Sequence, residues 1–481
     1  MLNYVPKYFT NRAIALYFIV LGFVSILFMN RMIDLQFMLF GVAAVIGFFY
    51  FSNRLTLSWQ KFSEKKFLKT LFWTAFAIRL VWVTFSYFYY RAMTGFVFEF
   101  GMADSGHYHS MAWDLMMIDG GFFVVWEALM ERWGDFSDAG YVLFLSYFYR
   151  LFWWSDAYIS ETGAYPIFLM RVTHALASAF MCILIYKLTK RNFGESTGRI
   201  AGVLAMLMPH FIYYCGLHLK ETYMIFLAVA FVERADHLLR SKNYNFVNIA
   251  IPVLLVGSLF TFRTVLGLAG LFAFFTAIVF APSKIVNWKK RVLIGVWIIA
   301  VVAYFAGGRI AMEIEEHWEG RHDNMELGFE HRVQQEGANQ FSRYATGAVF
   351  APVIFVIPFP AMTYVDGQQN QMMINGNAFV KNITAFFTML GIFLLIYRKR
   401  WREHTLILAF LISYLGVIST TVFVTSDRFH LPSVPFALIM AAYGISQMTN
   451  QWKKYFNWWT IFIFIAIVGW SWQRLAGRGV M

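Results

Sequence analysis

Cysteine, proline and charge are all scarce in this chain: two cysteines and ten prolines in 481 residues, with only 14% of residues charged. The two cysteines, Cys182 and Cys215, sit in separate apolar runs. That excludes a disulfide scaffold, and no Cys or His spacing matches a metal site, so both read as small core residues. An ordinary soluble domain carries about 25% charged residues, and disordered chains carry more charge and less apolar surface than this one. No glycine-rich nucleotide loop is visible either. What is present is apolar: 59% of the residues are hydrophobic and 20% aromatic. A soluble chain cannot hide that much apolar surface, so the composition implies an integral membrane protein. The formal net charge of +13 would suggest nucleic acid in a soluble protein. Here the basic residues lie in short loops between apolar runs, where they set topology and meet anionic headgroups, and no nucleic-acid partner is expected.

Runs of spanning length recur near 13–29, 34–52, 68–90, 165–189, 198–215, 219–239, 247–261, 264–281, 291–309, 377–397, 404–424, 430–448 and 456–472. The pattern predicts an all-α polytopic membrane protein with about 13 transmembrane helices. Lys7 and Arg12 precede the first run but no small-residue cleavage site follows it, so it reads as a retained helix. A cytoplasmic N-terminus places Lys61, Lys65, Lys66, Lys190, Arg191, Lys289, Lys290, Arg291, Arg398, Lys399, Arg400, Lys453 and Lys454 inside, a positive-inside alternation along the whole chain. The expected organisation is two N-terminal helices (1–60), a first core helix (61–90), a first outward loop (91–164), a transmembrane core (165–309), a second outward loop (310–376) and C-terminal helices (377–481). The first loop is acidic, with Glu99, Asp104, Asp114, Asp119, Glu127, Glu131, Asp135 and Asp138, and its stretches 106–118 and 140–154 have the pattern of interfacial helices. In the second, the run from Ala351 to Met362 holds three prolines and is too short to span, so it reads as re-entrant or interfacial.

Charges beside apolar runs are functional candidates, because burying one at the centre of a span costs about 2.5–3.5 kcal/mol. Asp104, Lys220, Glu221, Arg263 and Arg428 all fall at the outer face on this topology, whereas Arg79 and Arg171 lie within runs and read as structural partners of a loop acid. Asp104 or Ser105 has the place of a helix N-cap, and His107, Tyr108 and Met111 would share the next face. Asp104 as a mere cap, Lys220 and Arg428 as snorkelling cations and Glu221 as a first-turn acid stay open beside any chemical role. His107 and His109 face apart on a helix, so no metal site is expected, although a divalent cation stays open. Trp126, Trp133, Trp153 and Trp154 suit either sugar stacking or the interfacial belt. The polar stretch from Asp366 to Asn377 reads as a solvated loop, and the sequon at Asn382 falls at a helix start.

The order of several short segments resembles the GT-C superfamily of lipid-dependent membrane glycosyltransferases, in the bacterial branch similar to protein mannosyltransferases and the lipid A aminoarabinose transferase. The segments are Ala75 to Leu80 with Arg79, Asp104-Ser105-Gly106-His107-Tyr108, Gly140 to Phe152, Arg171, Asn192-Phe193-Gly194, Pro209, Lys220-Glu221-Thr222 and Asp427 to Phe436. The likeness covers about residues 68–472. Residues 1–60 add two spans before the usual first helix, and Ser105 stands where the family often has a second acid, which Glu221, Asp114 or Asp119 would then supply.

The resemblance implies an enzyme of the bacterial cytoplasmic membrane with its site facing the periplasm or exterior. It would move a sugar from a polyprenyl-phosphate donor to a hydroxyl of a glycan, lipid or protein acceptor. Asp104 and Glu221 would be the catalytic acids, with Asp104 as the base of an inverting attack. Lys220, Arg263 and Arg428 would hold the lipid phosphate, and His107, Tyr108 and Arg171 the substrate. Two other classes compete. A transporter of lipid-linked sugar needs matched broken helices, and no internal repeat is visible. A surface-polysaccharide polymerase or ligase with a lipid-diphosphate donor would use arginines and a histidine of the second loop, where Arg321, His322, His331, Arg332 and Arg343 cluster.

Overall fold

A computed structural model of the chain describes residues 2–133, 136–151, 164–241, 245–283 and 351–477, with a few positions between 285 and 296. The chain is an all-α membrane protein: among the described residues there are helices, turns and one isolated bridge between Met32 and Thr363. The helices are α1 (Lys7–Leu27), α2 (Leu35–Ser58), α3 (Glu64–Thr94), α4 (Ala103–Met116), α5 (Phe122–Trp133), α6 (Ala139–Arg150), α7 (Ala164–Phe193), α8 (Glu195–Leu207), α9 (Pro209–Cys215), α10 (Glu221–Arg240), α11 (Phe246–Phe262), α12 (Thr264–Phe280), α13 (Asn375–Tyr397), α14 (Thr405–Ser419), α15 (Val434–Ser446) and α16 (Trp452–Ala476).

Eight of the described helical segments, 19 to 31 residues long, are long and apolar enough to cross a membrane: those built on α1, α2, α3, α7, α13, α14, α15 and α16. This multi-pass count is lower than the thirteen runs of the sequence. The runs at 247–261 and 264–281 form α11 and α12, apolar but of 17 residues each. The run at 198–215 is not one helix. Pro209 has no backbone N–H to continue α8, so the chain turns at Met208 and restarts with the proline in the first turn of α9. The run at 291–309 lies almost wholly outside the described residues.

Burial sorts the spans. About a third of the apolar windows of α2, α3 and α16 is buried, against 78% for α13 and 89% for the segment ending in α15, so the last two are central and the others present side chains such as Ile19, Leu39, Val81 and Phe88 outward. At the centre α13 and α15 cross backbone to backbone. Gly391 lies against the Met440 carbonyl and Gly444 against the Phe387 carbonyl, where any added Cβ would collide. Close approach through small residues supplies the packing that lipid-immersed helices lack from the hydrophobic effect. The N-terminal pair is part of the bundle. Tyr17 donates to Asn375 at 2.5 Å, a Cβ on Gly376 would meet the Gly41 carbonyl at 2.5 Å, and Tyr8 of α1 donates to Asn457 of α16 at 2.9 Å.

The proline-rich segment after residue 351 makes one 3₁₀ turn, Ala351–Val353, turns again through Val356, and then runs without helix and mostly buried to Met362. Asn382 donates to the Val356 and Pro358 carbonyls (2.5 and 3.0 Å) and Lys381 to that of Ile357 (2.6 Å), which replaces the missing helical bonds. Asn382 is therefore fully buried. The Asp366–Asn377 stretch is not the solvated loop expected of its composition. Gln369–Met373 is helical, Asn370 donates to the Phe100 carbonyl at 2.7 Å, and buried Asn375 donates to those of Phe37 and Met372. Arg79 likewise differs from expectation. Its partners are Ser178 (2.7 Å) and the carbonyls of Ala75, Ala205 and Met206 rather than a loop acid, so it clamps α3 to α7 and to the end of α8.

Candidate functional site

The first loop builds the site from three short helices. α3 ends at Gly95 in the left-handed region (φ 79°), which turns the chain toward α4. α5 follows α4 in the chain, while α4 and α6, the two expected interfacial helices, pack directly on each other. α6 starts after Asp138, also left-handed (φ 74°). Arg150 of α6 donates to the Leu115 and Ile118 carbonyls (3.2 and 2.5 Å) and so fastens the C-terminal end of α4.

α4 begins two or three residues earlier than expected, with Met102 at the N-cap, so neither Asp104 nor Ser105 caps it. Ser105 instead donates to Glu99 at 2.6 Å. Asp104 lies in the first turn, favourable for a carboxylate, with its side chain about half exposed. The Arg428 guanidinium joins it to Glu221, with Nη1 on the Asp104 carboxylate and Nε on that of Glu221. Glu221 opens α10, is completely buried, and its Oε2 has no partner among the described residues. Next to it, buried Lys220 contacts the Asp138 carboxylate, which also accepts from the Tyr108 hydroxyl at 2.8 Å. Arg263 stands at the break between α11 and α12, 4.6 Å over the Phe429 ring. Burial pushes the Lys220 ammonium below its ordinary range, and the positive charges of Arg263 and Arg428 add to that, against Glu221. Three cations, Arg428, Lys220 and Arg263, thus stand beside three carboxylates, Asp104, Glu221 and Asp138.

Asp104, His107, Tyr108, Met111, Arg132, Trp133 and Asp138 line a cavity of about 350 Å³. The face predicted for His107, Tyr108 and Met111 is the one that lines it. His107 stacks on Trp133 at 4.9 Å between ring centres. His109 points the other way. Its Nδ1 lies 2.9 Å from the Tyr149 hydroxyl, which lies 2.9 Å from Nε2 of His218. Burial lowers His109 to about 4 and His218 well below its usual value, so both imidazoles are neutral near pH 7. A second cavity, of about 180 Å³, has Arg428 in its wall.

Of the residues expected at the site, Asp104, Glu221 and Arg428 are in direct contact, while Lys220, Tyr108, His107 and Arg263 surround them. Arg171 does not join them. It is fully buried, donates to the Val97 carbonyl at 2.6 Å and lines neither cavity. Asp114 and Asp119, the other candidates for a second acid, also line neither. Trp126 stacks on Phe122 rather than on a cavity. Trp153, Trp154, Arg321, His322, His331, Arg332 and Arg343 lie outside the described residues. Sequence reasoning missed the role of Asp138. Its only signal was membership of the acidic loop, since its contact with Lys220 depends on how that loop folds. Among the described residues no three His, Cys, Asp or Glu side chains converge as metal ligands, and the carboxylates present are engaged by Arg428 and Lys220.

No protein-family model matches the chain. No curated protein matches it either. Among solved structures it is similar to the archaeal oligosaccharyltransferase AglB from Archaeoglobus fulgidus in complex with an inhibitory peptide and a dolichol-phosphate, with a TM-score of 0.43 and 13% identity. The match covers 86% of this chain and 56% of that one.

Proposed function

We propose that the chain is a membrane glycosyltransferase that moves a sugar from a polyprenyl-phosphate donor to an acceptor hydroxyl. The observation that carries this reading is the contact of Asp104, Glu221 and Arg428, three residues far apart in sequence, at the edge of a cavity that holds His107 and Trp133. A half-exposed carboxylate beside a cavity is placed to take the proton of an acceptor hydroxyl. The hydroxyl oxygen attacks the anomeric carbon, the bond from that carbon to the phosphate oxygen breaks, and its electron pair stays on the phosphate. One such attack inverts the anomeric configuration. A lipid phosphate is a weak base and needs charge stabilisation rather than a general acid. Arg428 offers for that task the guanidinium edge now held by Asp104, and Lys220 and Arg263 stand beside it.

The resting contact between Arg428 and Asp104 has a mechanistic meaning in this scheme. An arriving phosphate competes for the guanidinium and releases the Asp104 carboxylate for proton transfer. Glu221, buried and bound to Nε, keeps the guanidinium aimed while its other edge changes partner. The basic loops favour a cytoplasmic N-terminus, about 13 spans and a site on the outer face of a bacterial cytoplasmic membrane. A glycan, lipid or protein hydroxyl would serve as acceptor.

The test is release of label from radiolabelled polyprenyl-phosphate sugars by the purified chain in bacterial lipid extract, with wild type set beside Asp104→Asn. Release by the wild type that is lost in the variant is the expected result. Equal release in both would remove Asp104 from the chemistry, and no release from any donor by folded protein would overturn the transferase reading.

A further inference from the structure

The two cavities flank one ion pair. Asp104 is in the wall of the larger, Arg428 is in the wall of the smaller, and the two side chains are bonded to each other. The smaller cavity gathers a carboxylate, two amides and an indole, namely Glu99, Asn370, Gln371 and Trp470. Glu99 is more than nine-tenths buried. One of its oxygens accepts from Ser105 at 2.6 Å, and Oε2 has no partner among the described residues. Asn370 is similar: its amide nitrogen is used on the Phe100 carbonyl, and its Oδ1 is buried without a partner among the described residues. Two buried acceptors left open beside an empty volume are costly until donors reach them. Trp470 packs edge to face with Phe359, ring centres 6.0 Å apart, and adds an aromatic surface to the wall.

Hydroxyl groups around the rim of a ring and C–H bonds on its faces match this lining. The open acceptors take the hydroxyl protons, and the indole covers the C–H face. Charges of both signs line the wall, Glu99 and Asp427 against Arg428 and Arg474, so the selectivity for a sugar ring comes from the open acceptors and the indole rather than from charge. Burial also pushes the Glu99 carboxyl up, which weakens its pull on cations and leaves a hydroxyl as the better partner. The volume suits a single sugar ring rather than a chain of them.

We infer that this smaller cavity is a pyranose-binding subsite, the seat of the sugar that the donor carries, with Glu99, Asn370 and Trp470 reading the ring and Arg428 at its phosphate end. The inference rests on the transferase reading for its place in the reaction, and it leaves the Asp104–His107 cavity to the acceptor.

Binding is tested without turnover. Methyl pyranosides of glucose, galactose, mannose and N-acetylglucosamine are added to the full chain in lipid nanodiscs, and saturation-transfer NMR reads contact with the protein. At least one glycoside binds in the wild type. Glu99→Gln, which replaces the open acceptor with a donor, weakens that binding about tenfold, the 1.4 kcal/mol expected of one lost hydrogen bond. His107→Ala, in the other cavity, leaves it within about twofold, below the effect of a lost hydrogen bond. Where Glu99→Gln unfolds early in a thermal melt, Gln371→Ala at the exposed rim and Trp470→Phe put the same question. No binding by any glycoside, or binding that responds to His107→Ala and not to the smaller-cavity variants, overturns the subsite. Glycoside binding without transfer from any polyprenyl phosphate would remove the transferase and leave the subsite. Transfer without binding that depends on these residues would do the reverse.

Discussion

Helix α10 carries a charged cluster at each end, and the two are built differently. At its start Glu221 meets Arg428 and Asp104. In its last turns Glu233, Asp236 and Arg240 meet Arg191 and Asn192 of α7, and Arg240 also donates to the Glu403 carbonyl at 2.7 Å. The clusters are separated by about 20–30 Å of helix at 1.5 Å per residue. The terminal cluster is the more densely bonded, although Glu233 Oε2 has no hydrogen-bond partner among the described residues. Asp236 alone accepts from Arg191 (3.0 Å), Arg240 (2.9 Å) and Asn192 (3.2 Å), and none of these residues lines either cavity. The initial cluster has Oε2 of Glu221 and Nη1 of Arg263 without partners among the described residues, and it borders both cavities. A densely bonded network away from open volume ties helices together, and unpartnered groups beside a cavity keep capacity for a ligand. Charge count alone would not distinguish them.

The comparison breaks if substitutions at the two ends have the same effect. Asp104→Asn is expected to lower the rate of sugar transfer by about 100- to 10,000-fold, the usual range for a positioned base, with the thermal midpoint unchanged. Asp236→Ala should do the opposite. It strands partly buried guanidinium groups and destabilises by about 1–3 kcal/mol, read as an early melt in detergent, while protein that stays folded keeps its turnover. A melt of Asp104→Asn that falls as far as that of Asp236→Ala would make the first cluster structural as well. Arg428→Lys keeps the charge but not the two-edged contact, and a drop of about tenfold in transfer is expected for the loss of one charge-assisted hydrogen bond. Equal rates would assign Arg428 a purely electrostatic part.

The smallest effect sharpens the role of the packing behind α4. His109 is held at about 4 by burial, below the unfolded value near 6.5. The unfolded chain therefore binds the proton first as pH falls. The stability from neutral His109 is complete above about pH 6.5 and is lost progressively toward pH 4. The thermal midpoint of the wild type should fall through that window more steeply than that of His109→Asn, by a few degrees. Parallel curves would show that His109 is charged or exposed in the folded protein.

Much of the site was legible because its residues carry charge where charge is costly. Asp104, Glu221, Lys220 and Arg428 stand out against apolar surroundings, and their meeting follows from their shared face. Asp138 and Glu99 carry equal charge but were two acids among eight in one loop, and only the turns at Gly95 and Asp138 bring them to the cavities. Arg171 misled for the reverse reason. A guanidinium inside a span implies a partner, but a backbone carbonyl such as that of Val97 satisfies it as well as a substrate would. The helical architecture was readable from hydropathy. The break at Pro209 was not counted, because the apolar run continues through it. The buried amides between residues 370 and 382 were misread because polarity does not distinguish solvent from a carbonyl of the chain itself.

The pairing of the first helix with the last also bears on how the protein is made. Tyr8 and Arg12 of α1 bind Asn457 of α16, and that final helix brings Trp470 and Arg474 to the smaller cavity. α16 follows the other described spans in the chain, so α1 must wait in the bilayer, one side unpartnered, until α16 is made. The Trp470 wall of the cavity is likewise the last to arrive. A nascent chain thus holds Asp104, Glu221 and Arg428 in the membrane before it has a closed place for a sugar, and assembly rather than regulation sets the moment at which that place is complete.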